Sequence, residues 1–136
     1  VITNRHSGDV IDIPQGSTTE GTDLDQWPSN GGANQHWDVT RLGCGLYSVT
    51  SAEDGESVDI SGQSTAAGAK VDEWDYWGGG NQQFLLARNS AGYFTITNIN
   101  SMDVLAVPGS SVTAGTLLDQ AARNGGASQQ WSFTPA

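Results

Sequence analysis

Few side chains in this sequence could do chemistry alone. Cys44 is the one cysteine, held in Gly43-Cys44-Gly45. No basic partner stands beside it to lower a thiol pKa, so it reads as a turn residue, and no intrachain disulfide can form. His6 and His36 are isolated and match no metal-ligand spacing. The carboxylates are spread over loops and spell no calcium loop, so no metal is expected. Asp12 with Asp25, and Asp59 with Asp72, could each be offered as the carboxyl pair of a glycosidase. Hydrolysis needs one carboxyl with a raised pKa, and that needs burial, which a shallow surface site offers little of. An acid pair written twice also suits binding better than one catalytic centre.

What positions these residues is a repeat. The phrase NGGANQHW (Asn30 to Trp37) returns as WGGGNQQF (Trp77 to Phe84) and NGGASQQW (Asn124 to Trp131), each 47 residues on. A shift of 47 aligns the whole chain in three copies without a gap. Five apolar sets keep register: Ile2, Val49, Ile96; Ile11, Val58, Leu105; Ile13, Ile60, Val107; Leu24, Val71, Leu118; Trp37, Phe84, Trp131. The copies run over residues 1–46, 47–93 and 94–136 of a single domain. Ser48 to Thr50, Val58 to Ile60, Ala69 to Trp74 and Gln83 to Leu86 read as strands in the second copy. That predicts about twelve strands, an all-β chain, and closure around a pseudo-threefold axis, since three blades are too few for a propeller.

Charge narrows the partners. The net charge is −10 and the pI near 4.1. Nucleic acid and anionic membrane surfaces would be repelled. No apolar run reaches the ~18 residues of a membrane span. The sequence opens on Val1 rather than Met, as expected of a module excised from a longer, secreted protein.

Gln35-His36-Trp37, Gln82-Gln83-Phe84 and Gln129-Gln130-Trp131 together resemble the Gln-x-Trp hallmark of ricin B-type lectins. They are also similar to the family 13 carbohydrate-binding modules attached to polysaccharide-degrading enzymes. The resemblance covers the whole chain and implies a β-trefoil. Many members carry two bonded cysteines per repeat, and none of the matching positions here is cysteine, so the chain resembles a disulfide-free branch.

The resemblance also implies a ligand set: an early-strand aspartate, an aromatic after the third strand, and an asparagine before the hallmark glutamine. These fall on Asp12, Trp27, Asn34 in the alpha repeat and Asp59, Trp74, Asn81 in the beta repeat. In the gamma repeat the same positions hold Ala106, Ala121 and Ser128. The chemistry is coherent, since a sugar offers an apolar ring face and a rim of hydroxyls. An indole covers the face, a carboxylate accepts hydroxyls strongly, and an amide both donates and accepts.

Residues that survive in the gamma repeat read first as scaffold: Gln35 and Gln82 with Gln129, and Asp25 and Asp72 with Asp119. Relatives make polar ligand contacts near these places, so Asp25, Gln35, Asp72 and Gln82 stay secondary candidates. Asn30 and Trp77 are two more, three residues beyond the aromatic.

The expected function is therefore non-catalytic carbohydrate binding with no cofactor. Two shallow sites, alpha and beta, would take galactose- or L-arabinopyranose-configured units of a plant-type polysaccharide or glycan. The module would target an attached catalytic domain. A free-standing lectin and a xylan-binding module are the alternatives; a trefoil for protein contact would not need two intact Asp, Trp, Asn sets.

Overall fold

A computed structural model covers residues 1–136 and is an all-β, β-trefoil structure of twelve strands. They are β1 (Ile2–Asn4), β2 (Val10–Asp12), β3 (Asp25–Trp27), β4 (Trp37–Gly43), β5 (Leu46–Ser51) and β6 (Ser57–Ile60). Then follow β7 (Val71–Trp74), β8 (Phe84–Arg88), β9 (Phe94–Asn98), β10 (Val104–Ala106), β11 (Asp119–Ala121) and β12 (Trp131–Phe133). Six of them make the barrel wall through the antiparallel ladders β1–β12, β12–β9, β9–β8, β8–β5 and β5–β4. β1 and β4 share no ladder, and Val1, Ile2, Trp37, Val39 and Phe133 line the seam.

The other six strands form three hairpins, β2–β3, β6–β7 and β10–β11. Single bridges tie them to one another: Asp23 to Asp72, Asp25 to Leu117, and Lys70 to Asp119. The hairpins therefore cap the barrel around the pseudo-threefold axis.

The central cluster of the core is the five apolar sets of the 47-residue shift, fifteen side chains, with Ala69, Leu86 and Phe133 packed against it. Each repeat contributes five, so the layers interlock only when all three copies fold together. The third member of each hallmark illustrates how the core handles polarity. Trp37 and Trp131 donate Nε1–H to the buried carbonyls of Ile11 and Leu105, at 3.0 and 3.1 Å. Phe84 has no such donor, and Ser57 Oγ supplies it to Val58 O instead, at 3.0 Å. A buried carbonyl left without a partner would be costly, and the second copy meets that need from a different residue. Cys44 sits exposed at the tip of the β4–β5 hairpin with φ of 53°, a turn residue as its flanking glycines predict.

Candidate functional site

Every Gly-Gly-x-Asn/Ser-Gln phrase folds as an extended entry and one 3₁₀ turn, at Ala33–Gln35, Gly80–Gln82 and Ala127–Gln129. The turn drives the glutamine side chain inward, where it is buried in all three copies. Gln35 Oε1 accepts the Asn30 N–H at 2.8 Å, and its Nε2 donates to Pro28 O at 3.1 Å. Gln82 makes the same pair with Trp77 N and Asp75 O, and Gln129 with Asn124 N and Ala122 O. So the hallmark glutamine stitches the loop after the third strand of each repeat, the bracing role its persistence predicts.

In the first two copies the same amide does a second job. Gln35 Nε2 and Asn34 Nδ2 both donate to Asp12 Oδ1, each at 3.0 Å. Gln82 Nε2 and Asn81 Nδ2 converge on Asp59 Oδ2, at 2.9 and 3.1 Å. Two donors on one oxygen fix the carboxylate and leave its other oxygen open to further donors. Asn34 and Asn81 spend the rest of their NH2 on the carbonyls of Ile13 and Ile60. Only their Oδ1 remains free, and Asn81 Oδ1 is buried with no partner. These asparagines are thus carboxylate braces with one spare acceptor, a narrower role than a donor-and-acceptor contact.

The aspartates are not solvated strand-edge groups. Asp12 is 3% exposed and Asp59 4%. Asp12 stands directly across the β2–β3 ladder from Asp25, and Asp59 across β6–β7 from Asp72. Burial, then the hydrogen bond and charge of Asp12, push Asp25 up to about 8. Asp72 is pushed up to about 8 by burial and then by Asp59. Burial also raises Asp59, against the hydrogen bonds from Asp72, Gln82 and Asn81 that favour its charge. Each pair therefore shares a proton, which Asp25 or Asp72 holds toward its partner. Burial is present after all, contrary to the shallow site expected from sequence. Yet carboxyls hydrogen-bonded to each other leave no room to flank a glycosidic bond, which needs ~5–9.5 Å between them.

Above the pairs stand the indoles. Trp27 is 43% exposed and Trp74 40%. Each leans on a glycine of a neighbouring repeat: a Cβ at Gly21 would lie 3.3 Å from the Trp74 ring, and one at Gly115 3.6 Å from Trp27. Backed this way, the rings stay put and exposed. Two open cavities result. One, of about 500 Å³, is lined by Asp12, Asp25, Trp27, Asn30 and Asn34. The other, of about 230 Å³, has Asp59, Asp72, Trp74, Trp77 and Asn81.

The structure thus gathers the proposed alpha and beta sets into two places, with Gln35 and Gln82 just behind them. Asn30 and Trp77 differ in role. Asn30 Oδ1 accepts the Gly32 N–H at 2.8 Å, as Asn124 does for Gly126, so it closes a turn in a copy with or without the ligand set. Trp77 is 56% exposed and its ring lies against Gly79, where any Cβ would collide.

Sequence reasoning missed the opposite wall: Pro14, Gln15 and Gly16 in the first cavity, Ser61, Gly62 and Gln63 in the second. They form the 3₁₀ turns that follow β2 and β6. The available signal was a Pro- or Gly-bearing turn placed directly after each site aspartate.

A threefold barrel with hairpin cap and two rigid, indole-topped carboxylate cavities defines a carbohydrate-binding trefoil. The chain belongs to the ricin-type beta-trefoil lectin domain-like family, whose model matches residues 1–74 and 80–136. It is non-catalytic and binds sugar in the sense that family defines. Among solved structures it is similar to ThreeFoil, a designed 3-fold symmetric protein, at 34% identity and TM-score 0.95, covering 96% of this chain and 94% of that one. It is also similar to part of 1,3Gal43A, an exo-beta-1,3-galactanase from Clostridium thermocellum, at 26% identity and TM-score 0.93. There it covers 96% of this chain and only 28% of the galactanase. The fold recurs in the Macrolepiota procera ricin B-like lectin in complex with lactose, at 24% identity and TM-score 0.83, over 96% and 90% of the two chains. No curated protein matches the sequence significantly.

Proposed function

We propose that the chain binds galactose- or L-arabinopyranose-configured units of a polysaccharide or glycan through the alpha and beta cavities, with a silent gamma repeat. The observation that carries this reading is the fixed acceptor. Asp12 and Asp59 each have one oxygen held by two amides, share a proton with Asp25 or Asp72, and line a cavity together with an exposed indole. An axial hydroxyl beside an equatorial one fits such a carboxylate, and the ring's apolar face lies on Trp27 or Trp74. Trp77 extends the second platform toward an adjoining unit. Solved lectins of the same fold hold lactose and GalNAc, and a galactanase carries the fold over part of its chain. The galactanase favours the role of a secreted targeting module beside a catalytic domain. Two sites on one rigid body would then hold a polymer by avidity.

The test is a titration of tryptophan fluorescence with galactose, lactose, arabinose and xylose, followed by affinity electrophoresis in galactan, arabinan and xylan. A response to galactose-configured ligands that survives Asp12→Ala or Asp59→Ala alone and vanishes in the double change is expected. Xylan retardation without any galactose response would replace the sugar assignment. Silence toward every sugar and polysaccharide would overturn the reading.

A further inference from the structure

The repeats differ in a second place, away from both cavities. In the first copy Ser7 Oγ donates to Gln26 Oε1 at 2.7 Å, and Gln26 Nε2 donates to Ser111 O and Thr113 O of the third copy. The third copy repeats this with Ser101, Gln120 and the carbonyls of Ser64 and Ala66. Both glutamines are fully buried, and both atoms of each amide have partners. At the junction of copies one and two the serine position holds Asp54 and the glutamine position holds Glu73. The backbone is unchanged: Gly21 N–H still bonds Glu73 O, and Glu73 N–H bonds Thr22 O. Asp54 Oδ1 keeps the serine's local duty, accepting the Glu56 N–H at 2.9 Å.

What has gone is every side-chain donor. Glu73 is 0% exposed, and neither of its carboxylate oxygens has a hydrogen-bond partner. Asp54 Oδ2 and Glu56 Oε2 are likewise buried and unpartnered. By the repeat symmetry Glu73 points at the carbonyls of Ser17 and Thr19, which are acceptors too. Oxygens of Asp54, Glu56 and Glu73 lie within 4.8 Å of one another, and a second trio, Glu20, Glu56 and Asp75, adjoins it through Glu56. The counterparts of Glu20 are Ala67 and Ala114, and those of Asp75 are Pro28 and Ala122. Glu56 has acidic counterparts in Asp9 and Asp103, but only at this junction do further acids gather round that position.

We propose that Asp54, Glu56 and Glu73, all of the second repeat, form a calcium site at its junction with the first. Calcium–oxygen distances of ~2.3–2.6 Å allow ligands up to roughly 5 Å apart on opposite sides of one ion, which the trio satisfies. An all-oxygen donor set with carbonyls in reach suits a hard cation that takes six or more ligands, and it lacks the imidazole and thiolate that favour zinc. Burial, then a hydrogen bond shared with Asp54 and the nearby carboxylate charges, push Glu73 up to about 9, and burial with the neighbouring carboxylates pushes Glu56 up to about 7. No sequence motif marks it, because its ligands come from the β5–β6 turn and from β7, about 20 residues apart rather than within one ~12-residue loop. Glu73 immediately precedes Trp74, and Gly21, the glycine behind that indole, is bonded to Glu73 O. The ion would therefore also stiffen the beta platform.

The experiment compares chelator-stripped protein with protein titrated with CaCl2, by calorimetry and thermal melting. One calcium per chain is expected, half-saturating at ~0.1–1 mM as in extracellular modules, with a rise in Tm of about 5 °C at ~10 mM. The double change Asp54→Ser with Glu73→Gln installs the neutral pair that the other two junctions carry. It should fold, melt higher than the stripped parent and lose the calcium response. Glu73→Gln alone provides the same comparison if the double variant folds poorly. A well-folded parent indifferent to 10 mM calcium would overturn the site, leaving a shared proton between Asp54 and Glu73. A calcium response equal in parent and variant would overturn it as well, by placing the ion elsewhere.

Discussion

In the second repeat Asp59 faces Asp72 across β6–β7; in the third, Ala106 faces Asp119 across β10–β11. The ladders keep the same register, the hallmark glutamines are the same, and a buried aromatic lies beneath each, Phe84 in one copy and Trp131 in the other. At the cavity the difference lies in three side chains, Asp59, Trp74 and Asn81 against Ala106, Ala121 and Ser128, all lost together. Without its carboxylate the third copy needs no brace, and Ser128 Oγ simply takes a 3.3 Å bond from Ser110 Oγ. Asp119 keeps its place with Lys70 as a favourable charge, where Asp72 has a second carboxyl. Scaffold and site are therefore separable within one 47-residue unit. A position filled alike in both copies serves the fold, and the cavity positions filled differently are free to serve a ligand.

The severest challenge to that division is to the core. Phe84→Ala and Trp131→Ala should each cost ~3–5 kcal/mol by denaturant unfolding, although only one lies under an intact set. A mild Trp131→Ala would mean the third copy is not an equal part of the scaffold. Next comes the site itself. Asp59→Ala should weaken the beta site roughly ten- to hundredfold by calorimetry, through loss of a charged acceptor, while Asp119→Ala leaves binding unchanged.

The glutamines sharpen the contrast further. Gln82→Ala and Gln129→Ala should both cost about 1–3 kcal/mol by stranding loop backbone groups. Gln82→Ala alone should also lower sugar affinity, because it frees Asp59 from one of its two amides.

pH probes the carboxyl pairs themselves. Asp25 and Asp72, at about 8 in the folded protein against 3.8 otherwise, bind protons that the unfolded chain releases. Their contribution is full below about pH 4 and is lost as pH rises toward 8. Melting temperature should fall from pH 5 to pH 9. Asp25→Asn with Asp72→Asn should flatten the fall in part, since asparagine can still donate to Asp12 and Asp59. Glu73 adds its own share of the slope. Asp119→Asn, with Lys70 opposing the shift, should flatten it less. The least effect is expected from Ala106→Asp, which restores a carboxylate without platform or brace. Measurable sugar binding at a third site after that single change would show that the aromatic is dispensable.

The sequence by itself determined the architecture. A gapless 47-residue period names all fifteen core residues before any coordinate does, because a threefold fold must bury the same face three times. It also divided scaffold from site, since the third copy serves as an internal control. Tertiary structure decided what no spacing along the chain encodes. Strand pairing put Asp12 against Asp25 and Asp59 against Asp72, making buried, proton-sharing pairs of what read as surface acids. Packing between repeats set Gly21 and Gly115 behind the indoles, and strand pairing inside the second repeat brought Asp54 to Glu73. The turns after β2 and β6 became cavity walls only once the hairpins folded over them. Such contacts arise between segments 20 or more residues apart, where local propensity is silent and only closure of the barrel chooses the neighbours.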